Sequence, residues 1–219
     1  MPEYFDDDLG SFKEKLLFMG SYAESAVSEA VQAVAERDDT LALQVQANDD
    51  IMDQYEIEID DLAINLLSKA PPAADLRLIT VAMKISQNLE RIGDEATTIS
   101  RRAIELNQDA RLKVHLDIPQ MAVLALGMLK ESLDSFVNKQ PEKARAIIPR
   151  DKEVDAMNRQ FHRELSVYME ENPAAISRCL NLMTVSKSLE RVADHAKNIA
   201  QQVVYLCEAR DIRHEANRL

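Results

Sequence analysis

The sequence predicts an all-α protein built as two tandem antiparallel three-helix bundles. Its 219 residues include only 4 Gly and no Trp, while Ala, Leu, Glu, Gln, Lys and Arg abound, a composition that favours helix throughout. No segment alternates β-branched and aromatic residues between Gly or Asn turns, as strands do. Residues 86–100 (SQNLERIGDEATTIS) and 186–200 (SKSLERVADHAKNIA) agree at seven of fifteen positions, which marks a duplicated unit. An offset of 102 carries the match upstream, laying Asp49, Met52, Asp53 and Tyr55 over Asp151, Val154, Asp155 and Met157. Two extra residues around Ala70-Pro71-Pro72-Ala73 absorb the change of offset. The repeats fall at 1–110 and 111–219.

Breakers divide each repeat into three helices. The first spans residues 11–37 and stops at Asp38-Asp39-Thr40, where Thr40 can cap a second helix that ends before Pro71-Pro72. Asp75 is a plausible N-cap for the third, which continues to residue 107. In the second repeat Pro119 lies near the start of helix four, Pro141 opens helix five and Asn172-Pro173 caps helix six; Pro149 should kink helix five. The third helix of each repeat has a regular seam, Ala82, Ile85, Leu89, Ile92, Ala96, Ile99, Ala103, Leu106 and Leu182, Val185, Leu189, Val192, Ala196, Ile199, Val203, Leu206. Spacings alternating between three and four bury such a stripe at a shallow crossing angle. Leu41, Val45, Asn48, Met52, Tyr55, Ile59, Leu62 and Leu66 repeat the rhythm in the second helix.

A net charge of -12 argues against a nucleic-acid binder, which holds phosphates with excess Lys and Arg, and against an anionic membrane surface as partner. No apolar run reaches the roughly 20 residues that span a bilayer, and no signal peptide is visible, so a cytoplasmic location is expected. Cys179 and Cys207 fall on one helix, ~40 Å apart if it is straight, too far for a disulfide. They are expected to be small core fillers.

Each half carries D-x-x-x-D and then E-x-x-x-D: Asp49 and Asp53 with Glu90 and Asp94, Asp151 and Asp155 with Glu190 and Asp194. With Ala82 and Ile85 as a and d, Glu90 falls at b and Asp94 at f, on the outward face, one turn apart. Antiparallel pairing of the second and third helices would gather four carboxylates into one patch per repeat. Acidic residues at such positions can be merely solvated, but like charges at i,i+4 are unfavourable, and both halves keep the pattern while Lys and Thr change around it. A bound cation reverses the sign of that cost, and an all-oxygen set favours Mg, Mn, Ca or iron. His195 could add a nitrogen ligand but reads first as a flank; His115, His162 and His214 are assigned nothing.

LERIGD at 89–94 and LERVADH at 189–195, each about 40 residues after a D-x-x-[IV]-D-like segment, resemble the PhoU family of phosphate-uptake regulators. Met52 stands where that pattern prefers Ile or Val. The resemblance covers residues 11–210 and implies two three-helix bundles, a homodimer, and multinuclear clusters of iron or other divalent or trivalent ions. The implied ligands are Asp49, Asp53, Glu90 and Asp94 for one site and Asp151, Asp155, Glu190 and Asp194 for the other. It further implies that the protein works with the ATPase of the phosphate ABC transporter and with a phosphate-sensing histidine kinase, silencing the phosphate regulon when phosphate is plentiful.

Two other readings compete. A carboxylate-bridged di-iron enzyme needs inward-facing Glu and E-x-x-H pairs, and the sequence has no E-x-x-H. A metal-free helical adaptor would use the same acidic patches against basic partners. No nucleophile-base pairing, Gly-rich phosphate loop or Walker motif occurs, so a non-enzyme is expected.

Overall fold

The computed structural model describes residues 3–212, and every regular element among them is helical. In order these are α1 (Glu3–Glu36), α2 (Asp39–Ala47), α3 (Asp50–Ser68), α4 (Ala73–Asn107), α5 (Ile118–Val137), α6 (Pro141–Ile147), α7 (Asp151–Glu171) and α8 (Ile176–Glu208). Single 3-10 turns occupy Ile148–Arg150 and Pro173–Ala175. Each repeat thus has its three helices, with the middle one divided in two.

The long helices make the centre of the molecule: α1 packs on α4, α4 on α8, α8 on α5 and α5 on α1. Helix α3 lies against α1 and α4, whereas α7 lies against α8 and, less, α5, so the two flank the central four from opposite sides. One contiguous core runs through both repeats, from Phe5 to Leu206. Seam positions from Ala82 to Ala103 on α4 and from Val185 to Val203 on α8 have no exposed surface. Leu106 and Leu182, at the seam ends, are half-buried. Cys179 is buried in α8, Cys207 half-buried, and both are free thiols.

Several boundaries differ from expectation. Helix α1 begins at Glu3 rather than residue 11, because Phe5, Leu9, Phe12, Leu16 and Met19 extend its apolar stripe at alternating spacings of four and three, all buried. Asp38, not Thr40, caps α2: its carboxylate accepts from the backbone N–H groups of Thr40 and Leu41 at 2.9 and 3.0 Å. Helix α4 starts at Ala73 behind Pro72, so Asp75 lies in its first turn, where a negative charge meets the helix dipole. Asn172 closes α7, its side-chain amide donating to the Tyr168 carbonyl, and a 3-10 turn separates it from α8.

Pro149 falls in the 3-10 turn that divides helix five. The first repeat breaks at the same register without a proline, at Asn48-Asp49, where short polar side chains compete with helical backbone bonds. Arg37 and Lys139, another pair 102 apart, both end their helices in the left-handed region.

Gly93 sets how closely α3 approaches α4, since a Cβ there would lie 2.7 Å from Met52 Cγ. Gly93→Val is expected to lower stability by about 1–3 kcal/mol, the range for overpacking a well-filled core. Urea denaturation measures this, and an unchanged midpoint would mean that α3 moves away from α4 without loss.

Candidate metal centres

The helix breaks place the first acid of each set. Asp49 and Asp151 stand at the N-terminal ends of α3 and α7, and a straight middle helix would have carried them elsewhere. Asp49 makes no side-chain cap to its own helix; its Oδ1 instead accepts from Thr97 Oγ1 on α4 at 2.8 Å. Asp53, one turn on, is exposed. From α4, Glu90 and Asp94 flank Arg91, whose guanidinium reaches Glu90 at 3.3 Å and Asp94 at 3.0 Å.

Glu90 does not project outward as its heptad position suggested. Its side chain is 13% exposed, and Glu190 is buried outright. Burial, then the negative charges of Asp94, Glu56 and Asp53, push the Glu90 carboxyl up to about 7, against the opposing pull of Arg91. Glu56 is raised too, by burial first and by Asp60, Asp53 and Asp94. Asp53, Glu90 and Asp94 therefore share one electrostatic neighbourhood with Glu56, whereas Asp49 sits on the Thr97 side and shares a cleft with Asp94.

The second set has its own internal cation. Lys197 Nζ donates to Asp151 Oδ2 at 2.7 Å and also to Asp194. Asp151 is raised by burial, with Lys197 opposing and Asp194 and Asp155 adding to the rise. Its Oδ1 is buried with no hydrogen-bond partner. Glu190 pairs with Lys187, and Arg159 stands 3.7 Å from Asp155. Lys197 occupies the position of Thr97 in the other repeat, and each binds the leading aspartate of its own set.

Between the sets, α4 and α8 leave a cleft of about 690 Å³ lined by residues of both. Arg191 Nη1 donates to Glu95 Oε1 at 3.1 Å, and His195 Nδ1 lies 3.0 Å from Asn88 Oδ1. Burial lowers the His195 pKa, and the ring is committed to Asn88 rather than to the carboxylates. Among the described residues no three His, Cys, Asp or Glu side chains are placed to hold a metal ion as they stand. The donor chemistry nevertheless fits a hard cation: all the candidate donors are oxygens, one carboxyl is raised by burial and then by its neighbours' charge, and one buried carboxylate oxygen lacks a partner.

Sequence spacing did not reveal Glu56, Arg91, Thr97 or Lys197. Glu56 had a signal, lying three residues after Asp53 and so on the same face of α3. The cations had one as well, since Arg91 and Lys197 stand three residues to either side of an E-x-x-x-D aspartate.

Known proteins share this fold and sequence. The PhoU domain model matches residues 16–103 and 118–203. A phosphate-specific transport system accessory protein PhoU homolog of Pseudomonas aeruginosa is 39% identical over 214 residues, covering 97% of this chain and 88% of that protein. A homolog of the same description from Caulobacter vibrioides is 35% identical, covering 98% and 94%. The crystal structure of PhoU from Pseudomonas aeruginosa superposes with a TM-score of 0.91 at 38% identity, over 94% of this chain and all of that one. That of the phosphate transport system regulatory protein PhoU from Streptococcus pneumoniae gives 0.88 at 26% identity, over 95% and 99%.

Because the folded Glu90 pKa lies above its ordinary value, the native state gains stability from Glu90 protonation at low pH and loses it as pH rises from about 4.5 through about 7. Glu90→Gln should match the wild-type metal-free protein near pH 5 and exceed it by about 1 kcal/mol near pH 8, a value discounted for solvent screening. Denaturant titrations at the two pH values test this; a pH-independent difference would show that the Glu90 charge is fully compensated.

Proposed function

Because the chain belongs to the PhoU family, we propose that it is an accessory regulator of phosphate uptake that acts by binding rather than by turnover. On this reading it connects the ATPase of the phosphate ABC transporter to the phosphate-sensing histidine kinase and holds the phosphate-starvation genes silent when phosphate is plentiful. The observation that carries the reading is near-full-length similarity to accessory proteins of phosphate-specific transport, through both repeats. Relatives are named for an accessory role, which agrees with a chain lacking recognisable catalytic motifs. No described helix is long and apolar enough to cross a membrane, so a membrane-bound partner would be met at its aqueous face.

The two carboxylate sets are proposed metal centres. Asp49, Asp53, Glu90 and Asp94 would hold one cluster of divalent or trivalent ions, iron among the candidates, and Asp151, Asp155, Glu190 and Asp194 the other. A bound ion would supply positive charge where the carboxylates now crowd. The residues' own part is to orient oxygens from two helices, while Arg91 and Lys197 swing aside on flexible side chains. One observation favours a second reading, the metal-free adaptor: those same cations already neutralise part of each set.

Glu90→Gln with Asp94→Asn should lower bound metal by about half, and adding Glu190→Gln with Asp194→Asn should remove nearly all of it. Elemental analysis of protein purified without a metal-chelating tag decides, and an undetectable metal content in the wild type selects the adaptor. Deleting the gene should leave phosphate-starvation genes on in phosphate-rich medium, with the wild-type chain restoring silence. Unchanged expression, together with no binding of the transporter ATPase or kinase at micromolar concentration, would sink the regulatory reading.

A further inference from the structure

The two repeats share a fold but not a charge. Residues 1–110 carry 23 Asp and Glu against 9 Lys and Arg, a net of -14, whereas residues 111–219 carry 15 against 17, a net of +2. All the excess acid of the chain lies in the first repeat. Helix α3 is its extreme, with six acidic residues and no Lys or Arg.

The outward stripe of α3 is also apolar. Ile57 and Ile64, seven residues apart on one face, are 57% and 62% exposed, with exposed Asp50 and Asp61 on the same stripe. On α1, the helix that packs beside α3, Phe18 is exposed as well. It is 64% exposed and lies one turn along from Lys15, whose ammonium pairs with Glu58 of α3. Isolated exposed apolar residues are ordinary, but two on one acidic stripe, with a third exposed on the helix packed beside it, make a recognition pattern.

The second repeat serves as an internal control. The 102-residue shift that preserves the carboxylate pair Asp49 and Asp53 as Asp151 and Asp155 converts Phe18, Ile57 and Ile64 to Gln120, Arg159 and Ser166. It also converts Asp50 and Asp61 to Lys152 and Arg163. All five second-repeat residues are exposed, so fold maintenance does not require the apolar, acidic version.

We propose that the α1–α3 face of the first repeat is a docking surface for a basic amphipathic helix of a protein partner, one presenting an apolar stripe between Lys or Arg residues. This deepens, and rests on, the reading that the protein acts by binding. Complementary charge would steer the encounter and Phe18, Ile57 and Ile64 would be covered on contact. A second copy of the chain fits less well: its counterpart helix, α7, is itself acidic, with six Asp and Glu against three Lys and Arg, and it offers Arg159 and Ser166 where the stripe needs apolar groups. A contact between faces on opposite sides of the molecule would also not close into a dimer. Nucleic acid and anionic membrane are repelled by the face.

The probe is a fluorescein-labelled synthetic 18-residue helix with leucines at heptad spacing between lysines, beside a scrambled isomer of identical composition, read by anisotropy near physiological salt. Binding is expected at micromolar concentration, one peptide per chain, with the scrambled isomer weaker. Phe18→Gln with Ile57→Ser and Ile64→Ser, and separately Asp50→Lys with Asp61→Arg, should each weaken it at least about tenfold while circular dichroism stays unchanged. Lys152→Asp, Arg159→Ile, Arg163→Asp and Ser166→Ile together should create a second site. Equal binding of the scrambled isomer, or wild-type affinity in the triple variant, overturns the proposal. So does wild-type self-association in sedimentation that Lys152→Asp with Arg163→Asp abolishes. The triple variant should also fail to restore silence in the deletion strain; full restoration would overturn the docking role and leave the regulatory reading standing. A deletion with no effect on starvation genes would remove that reading whatever the peptide does.

Discussion

The antiparallel packing of α4 on α8 constrains the position of the other helices, because it is the larger of the two contacts that join the central helices of one repeat to those of the other, α1 on α5 being the smaller. Their seams are dry, and their rims are polar. Lys84 lies over the Tyr205 ring, Asn88 meets His195, Glu95 meets Arg191 and Arg102 reaches Asn181, in a ladder that fixes the register. Removing the apolar seam would dissolve the shared core, while altering the ladder would let one helix slide along the other. The carboxylate sets inherit their positions from this register, since Glu90, Asp94, Glu190 and Asp194 are carried by the same two helices.

Crowded like charges are the second constraint, and each repeat meets it differently. In the first, Arg91 spans Glu90 and Asp94 while Glu90 remains costly to ionise. In the second, burial works against the Lys197 ammonium, but its bonds to Asp151 and Asp194 more than offset that and raise its pKa. The first set is thus the less compensated of the two. Physical consequences of adding a cation would be larger there, because more unfavourable charge remains to be neutralised.

Helix type, repeat length and the buried seams were legible in the sequence because they depend on periodicity, which a duplicated pattern reinforces. The start of α1 was missed because Asp6-Asp7-Asp8 resembles a solvated leader, although Phe5 and Leu9 continue the buried stripe. The break at Asn48-Asp49 left only a weak local trace, whereas Pro149 announced its counterpart. For the proposed site, sequence spacing names the acids of each set but not how they sit. A helical wheel turns Glu90 outward because it shows one helix, whereas α3 packs against α4 and the Glu90 side chain is largely covered. The pairing of Lys197 with Asp151 spans 46 residues and two helices, so no local pattern could contain it.

The ladder between α4 and α8 also records what covalent linkage permits. Two separate copies of one repeat, meeting seam to seam, would be bound by two-fold symmetry: any residue placed on one would appear on both. Here Arg191 has Glu95 opposite it, while the matching position opposite Arg91 holds His195. A symmetric pair would have to place either two carboxylates or two imidazoles at these sites. Joining the repeats through residues 108–117 removes that obligation, so each side of the central contact can specialise without altering its twin.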